Sequence, residues 1–256
     1  NRVVAAKVLR QSDASALLRF VREQGLRVNH PNVIAPLGWI GEDNQVLFTM
    51  RIVAGGSLAT LIGDHGALPP RFAAEILRQL LAGLRAVHAA HLVHRDVKPA
   101  NILLDATGSD RPHAYLTDFG IATRIGNVSP AEGFSVPWAP PEQLIGSRNA
   151  EPTTDVYSLA ATVYAMLTEH SPFETPGASE GVYELARRIV KDAVPPLGRP
   201  DVPPSLGRVL TVALEKDPAR RYPTMLSFAR ALQQIQAELE LPTTAVDLYD
   251  DGQDED

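Results

Sequence analysis

An α+β fold of two unequal lobes is predicted by the order in which strand-like and helix-like segments fall along the chain. β-branched and alternating runs cluster early, and three- and four-residue apolar periodicity dominates the later part. The chain has 256 residues, 45% of them hydrophobic and 21% charged. That is enough for one large domain or a two-lobed unit with a sizeable core.

The elements follow in order. Arg2–Leu9 is a β-branched-rich run of strand type. Asp13–Arg27 reads as a helix, with Ser12 or Asp13 as N-cap and Leu17, Leu18 and Val21 on one face. His30-Pro31-Asn32 breaks it. Val33–Gly38 and Gln45–Arg51 read as strands around a turn at Gly41–Asn44. Gly55-Gly56 is a break, and Ser57 can cap a short helix through Ile62. Pro69-Pro70 opens a long helix whose apolar residues Ala73, Ile76, Leu77, Leu80, Leu81, Leu84 and Val87 recur at helical spacing. Short strands are expected at Ile102–Leu104 and Ala114–Thr117, then a long loop from Asp118 to Glu142. Helices follow at Thr154–Thr168, Glu180–Lys191, Ser205–Glu215 and Thr224–Glu240, separated by proline-rich breaks.

Composition narrows the function classes. No cysteine is present, which excludes disulfides, zinc ribbons, thiol nucleophiles and iron–sulfur clusters. The seven histidines show no metal-ligand spacing, and no apolar run approaches the roughly 18 residues of a membrane span. Net charge is −6, but residues 241–256 carry six acids and no base, so the body holds 24 acids against 24 bases. A balanced body gives no nucleic-acid footprint. The acidic 243–256 segment reads as a solvated, disordered tail. Lysine is scarce: Lys7, Lys98, Lys191 and Lys216 are the four in the chain.

The segment His94-Arg95-Asp96-Val97-Lys98-Pro99-Ala100-Asn101 carries the strongest signal. An Asp and an Asn five residues apart on one loop can face one pocket. There the carboxylate can accept a hydroxyl proton while the amide oxygen binds a metal. Lys98 can neutralise phosphate charge beside Asp96. Asp118-Phe119-Gly120 follows a strand, where an Asp suits a metal ligand at the mouth of a cleft. Alone such a tripeptide is a common turn; seventeen residues after Asn101 it is specific.

With these motifs, residues 1 to about 240 resemble the catalytic domain of a bacterial, actinobacterial-type, eukaryotic-like serine/threonine protein kinase. The resemblance implies a two-lobed protein-kinase-like fold with a truncated, β-rich small lobe and a mainly helical large lobe. It implies a partial small lobe at 1–52 and a large lobe at 53–242. The function implied is ATP-dependent phosphoryl transfer to Ser or Thr hydroxyls of proteins, autophosphorylation included.

Residue by residue, Lys7 in Val4-Ala5-Ala6-Lys7 matches the strand lysine that holds the α- and β-phosphates. Asp96 matches the catalytic base, Asn101 and Asp118 the Mg²⁺ ligands, and Lys98 the lysine typical of Ser/Thr kinases. Glu23 is the candidate ion-pair partner of Lys7, although its spacing to His30 is shorter than the family's and an ungapped alignment puts Val21 there. Met50 would be the gatekeeper and Val53 the hinge residue that bonds adenine through its backbone, with Val4, Ala5 and Leu103 around the ring. Arg51 stands where the family usually has an acid. Ser135, in Phe134-Ser135-Val136-Pro137-Trp138-Ala139-Pro140-Pro141-Glu142, keeps a hydroxyl that could bond Asp96 and Lys98, while Pro140 departs from the usual Ala. Glu142 would pair with Arg221, and Asp155 would brace the catalytic loop. A phosphate on Thr123 or Ser129 would pair with Arg95. His88 and His91 read as packing or capping residues.

The implied cofactors are ATP and Mg²⁺, with Mn²⁺ as a substitute. The implied partners are protein substrates and a kinase dimer; the implied location is the cytoplasm, with membrane anchoring of a parent protein beyond residue 256. The family's glycine-rich loop would precede Lys7 by roughly twenty residues. A chain beginning six residues before Lys7 is expected to lack it and to bind ATP poorly. Two rivals stay open: a pseudokinase serving as a nucleotide-binding or scaffold module, and a small-molecule phosphotransferase.

Overall fold

The computed structural model describes residues 3–10, 28–42, 45–105, 112–118, 123–124, 134–147, 149–178 and 181–238. The helix expected over Asp13–Arg27, with Glu23, lies outside them, as do Phe119, Gly120, Ser129 and the 243–256 tail.

A small antiparallel sheet forms the first layer. Its strands are β1 (Ala5–Arg10), β2 (Gly38–Glu42) and β3 (Gln45–Met50), in the order β1-β3-β2. Lys7 pairs with Phe48 and Ala5 with Met50. This register sets Ala5 and Met50 side by side, with Lys7 two residues on and therefore on the same face of the sheet. The strand expected at Val33–Gly38 is not formed. Val33 makes a single bridge to Leu116, and regular pairing begins at Gly38. Val33 and Ile34 are apolar because they are buried against the large lobe, not because they lie in a sheet.

The large lobe is built around two helices. Helix α1 (Leu58–His65) is capped by Ser57, whose hydroxyl accepts from the Thr60 N–H at 3.1 Å. Helix α2 (Pro70–Ala89) starts with Pro at its first position, where a missing N–H costs nothing. It buries the periodic stripe from Ala73 to Val87. After it come β4 (Leu92–Val93), β5 (Ile102–Leu104), β6 (Ala114–Leu116) and β7 (Thr123–Arg124). They pair as two short antiparallel ribbons, β4 with β7 and β5 with β6. The β4–β7 ribbon went unread in the sequence, because two residues per strand leave no periodicity.

Helix α3 (Pro141–Leu144) leads to α4 (Pro152–Thr168), buried on all sides from Thr154 to Leu167. A helix buried all round lies at the centre of a core, and α4 packs on α2, α6 (Pro204–Ala213) and α7 (Met225–Glu238). Helix α5 (Val182–Lys191) lies on α3 and on the turn at Val136–Trp138. One glycine lets a turn settle on α2. A Cβ on Gly83, in mid-α2, would meet the Asn32 carbonyl oxygen at 3.2 Å, so the His30–Asn32 turn sits directly on the helix.

Candidate active site

The loop after β4 is shaped by a buried carboxylate. Asp155, fully buried in the first turn of α4, accepts the His94 N–H through Oδ2 and the Arg95 N–H through Oδ1, both at 2.8 Å. His88 bonds Oδ2 at 2.7 Å. Burial pushes the Asp155 carboxyl up, but the His88 hydrogen bond and the two neighbouring imidazoles outweigh it and hold it below its usual 3.8. Arg95 adopts a left-handed backbone (φ 69°) while its N–H is so held. A non-glycine residue there costs of order 1 kcal/mol and persists only where its surroundings fix it. His88 is thus more than a packing residue. No local sequence signal could have shown it, since its partner lies 67 residues away.

On this frame the polar side chains converge. Lys98 Nζ donates to Asp96 Oδ2 and to Ser135 Oγ, each at 2.6 Å. Asn101 Nδ2 donates to the Asp96 carbonyl at 2.8 Å and to Asp96 Oδ2 at 3.0 Å. The Ser135 N–H reaches Asp96 Oδ1 at 3.3 Å. Asp96 is 9% exposed, so its carboxylate is fixed from three sides yet still reachable. Gln143 donates to the Arg95 carbonyl at 3.2 Å, tying α3 to the same loop.

Asp118 enters from the end of β6. The Thr117 N–H bonds the Asn101 carbonyl at 3.0 Å, and His94 Nε2 bonds the Thr117 carbonyl at 3.0 Å, which sets Asp118 beside Asn101. Asp118 also has a left-handed backbone, φ 66°. Its Oδ1 accepts from Lys7 Nζ at 2.5 Å, across 111 residues and between the lobes. Lys7 therefore pairs with Asp118 among the described residues, whereas Glu23, its expected partner, lies outside them.

The linker from Met50 completes the site. The Thr117 hydroxyl lies 4.0 Å from the Met50 sulfur, which places Met50 against the residue before Asp118. The N–H of Gly55 bonds the Leu104 carbonyl, and the N–H of Leu104 bonds the Gly56 carbonyl, both at 2.9 Å. Val4, Ala5, Val53 and Leu103 are half-buried.

Other expected residues sit farther out. Arg221, with a fully buried side chain, makes a two-pronged pair with Glu142 at 2.7 and 2.8 Å. It also donates to the carbonyls of Glu215, Thr153 and Lys216 and stacks over Tyr157. Arg95 is 3% exposed, and burial draws its guanidinium below its usual value while the Asp155 carboxylate opposes that. Among the described residues no carboxylate forms an ion pair with it. Thr123 lies on β7 opposite Val93, two residues from Arg95. A separate cleft of about 770 Å³, between the C-terminal end of α4 and residues 192–199, has no part in this constellation.

The donor set suits a hard divalent cation. Asn101 uses its Nδ2 on Asp96, which leaves the side-chain carbonyl oxygen as a ligand, and Asp118 supplies a carboxylate. Mg²⁺ is held by one or two such protein oxygens together with phosphates and water.

Comparison with known proteins agrees with this geometry. The family described as Protein kinase domain matches residues 1–234. The chain is 33% identical over 251 residues to "Serine/threonine-protein kinase PknL" of Mycobacterium tuberculosis (strain CDC 1551 / Oshkosh), covering 94% of this chain and 61% of that protein. It is 34% identical over 251 residues to "Serine/threonine-protein kinase PknA" of M. tuberculosis (strain ATCC 25177 / H37Ra), covering 93% and 56%. To "Serine/threonine-protein kinase PknK" of Mycobacterium bovis (strain ATCC BAA-935 / AF2122/97) it is 35% identical over 244 residues, covering 92% and 21%. The chain thus spans about three-fifths or less of these relatives' lengths. With a matching family over nearly its whole length, on a two-lobed fold whose cleft gathers Lys7, Asp96, Asn101 and Asp118, this chain belongs to the protein kinase domain family.

Proposed function

We propose that this chain is the catalytic domain of a bacterial serine/threonine protein kinase. It transfers the terminal phosphoryl group of ATP to Ser or Thr hydroxyls of proteins, its own included. The observation that carries this is the Asp96–Lys98–Ser135–Asn101 cluster facing the Lys7–Asp118 pair. Phosphoryl transfer asks a protein mainly for positioning and charge neutralisation.

The residues divide that work. Lys7 holds the phosphates from the small lobe. Asp96 orients the incoming hydroxyl and takes its proton. Lys98, 2.6 Å from Asp96, carries positive charge to the transferring group, and Ser135 keeps Lys98 aimed there. Asn101 and Asp118 hold Mg²⁺ (or Mn²⁺), which when bound neutralises phosphate charge. Met50, Val4, Ala5 and Leu103 enclose the adenine, and the Val53 backbone bonds its edge. Glu23 serves as a further partner of Lys7. The boundaries follow the linker, with a small lobe at 1–52 and a large lobe at 53–242.

Arg95 is the receiver for a regulatory phosphate on Thr123 or Ser129. A buried guanidinium two residues from the β4–β7 pairing supports this. Phosphosite mapping of active protein checks it; both residues unmodified at full activity would remove it. Among the described residues no helix is long and apolar enough to cross a membrane.

The test is incorporation of phosphate from Mg·ATP into the full-length protein and into a generic basic protein, with Asp96→Asn alongside. Phosphoserine or phosphothreonine in the parent and none in the variant is the expected result. ATP binding without any transfer would favour the pseudokinase instead.

A further inference from the structure

Arg51 has no part in the chemistry above, yet it occupies the first position of the linker between the lobes. Its guanidinium carbon lies 4.1 Å from the Tyr115 ring centroid. Its Nη2 lies 3.6 Å from Asp105 Oδ2, and that same oxygen accepts the Tyr115 hydroxyl at 2.5 Å. Tyr115 is 4% exposed on β6, and Asp105 directly follows β5. The three side chains form a closed triangle between the linker and the β5–β6 hairpin.

The hairpin is a firm anchor. Beyond Asp105, the Asp105 N–H bonds the His113 carbonyl at 3.0 Å. The Leu116 N–H bonds the Asn32 carbonyl, and the Ile34 N–H bonds the Leu116 carbonyl, so β6 is stitched to the segment before β2. At the linker's far end, Gly55 and Gly56 are bonded to Leu104. The linker is therefore held at both ends by one hairpin, and that hairpin carries Leu103. The Arg51 and Asp105 side chains are 41% and 34% exposed, so their ion pair alone is weak. A planar guanidinium can cover the ring and reach Asp105 at once, whereas a lysine ammonium offers a single point charge.

We propose that Arg51 is a positioning residue for nucleotide binding. Its clamp on Tyr115 and Asp105 sets the linker, and with it the Val53 backbone, at a fixed distance from Leu103. This rests on the reading that ATP lies between Ala5 and Leu103. Loss of the clamp loosens the slot that receives the base and leaves the phosphate-transferring cluster untouched, so it raises KM for ATP more than it lowers kcat.

The experiment measures Mg·ATP binding by calorimetry on the full-length protein, beside kcat, KM and thermal unfolding. Arg51→Ala is expected to weaken ATP binding about three- to tenfold, the range of a stacked cation contact. Arg51→Lys should recover only part of it, and Arg51→Asp should bind more weakly still. Because Arg51 and Asp105 are partly exposed, these variants keep the fold, and the unfolding curves verify that. Unchanged ATP affinity in Arg51→Ala would overturn the clamp while phosphate transfer by the parent stood. A parent that binds ATP with this dependence on Arg51 but transfers no phosphate would leave the clamp standing and overturn the kinase reading. A parent that binds no ATP would overturn both.

Discussion

Lys7 and Asp118 meet at 2.5 Å across the cleft, one on an edge strand of the small sheet and the other at the end of β6. Their side chains are 40% and 34% exposed, so the pair is wet and adds little to stability. On the proposed function, its value is in placing a cation for phosphate and a carboxylate for metal. Lys7→Met is therefore expected to leave the unfolding midpoint nearly unchanged and to lower phosphate transfer on the order of 10²–10³-fold. Parallel assays of turnover and thermal unfolding separate the two effects. A variant that lost both together would show the pair to be structural.

Asp96 is the carboxylate on which Lys98, Asn101 and the Ser135 N–H converge. Asp96→Asn keeps the shape and removes the charge and the basic oxygen. Turnover should fall about 10²–10⁴-fold, the range of general base catalysis, while ATP affinity changes little. Lys98→Ala should lower turnover and also free Ser135, which makes protein-substrate KM rise with it. Equal losses in ATP affinity would contradict this division of roles.

The fold was legible wherever a helix was long and its apolar spacing regular. The stripe from Ala73 to Val87 placed α2, and the proline breaks placed α4, α5, α6 and α7 to within about two residues. Val33–Gly38 was misread because buried β-branched residues look alike whether or not they pair in a sheet. Lys7, Asp96, Asn101 and Asp118 were legible as types at fixed spacing within short motifs. His88 on Asp155 and Arg51 on Tyr115 were not, since each contact depends on how distant elements pack and leaves no local pattern.

Arg221 and Glu142 form a buried pair joined by five further contacts of the guanidinium: three backbone carbonyls, the Tyr157 ring and a second prong to the carboxylate. Removing one partner of such a pair strands the other charge. Arg221→Ala should cost about 3–5 kcal/mol, which chemical denaturation reads directly. Glu142→Gln should cost less, because the amide oxygen still accepts one hydrogen bond. If the two variants cost under 1 kcal/mol, the pair contributes no more than a surface bridge would.

The acid side of the stability profile should be set by the catalytic-loop brace. His94 is fully buried, and burial holds its imidazole below the usual 6.5 despite the opposing charge of Asp155. As pH falls below about 6.5 the unfolded chain takes up a proton there that the folded chain refuses, so stability falls with pH. Asp155 acts in the same direction in a lower window. Its folded carboxyl lies below 3.8, so its contribution is present above that value and is lost as pH falls through the folded one. Denaturation curves from pH 8 to pH 3 should therefore slope downward first below about 6.5 and more steeply below about 4. His94→Phe removes the titrating group and should flatten the first part, even if its absolute stability is lower. Asp155→Asn should keep that first slope, lose stability at every pH because one backbone N–H is left without its acceptor, and lack the steeper fall near 4. Parallel curves for the parent and His94→Phe between pH 7 and pH 5 would assign the slope to another group.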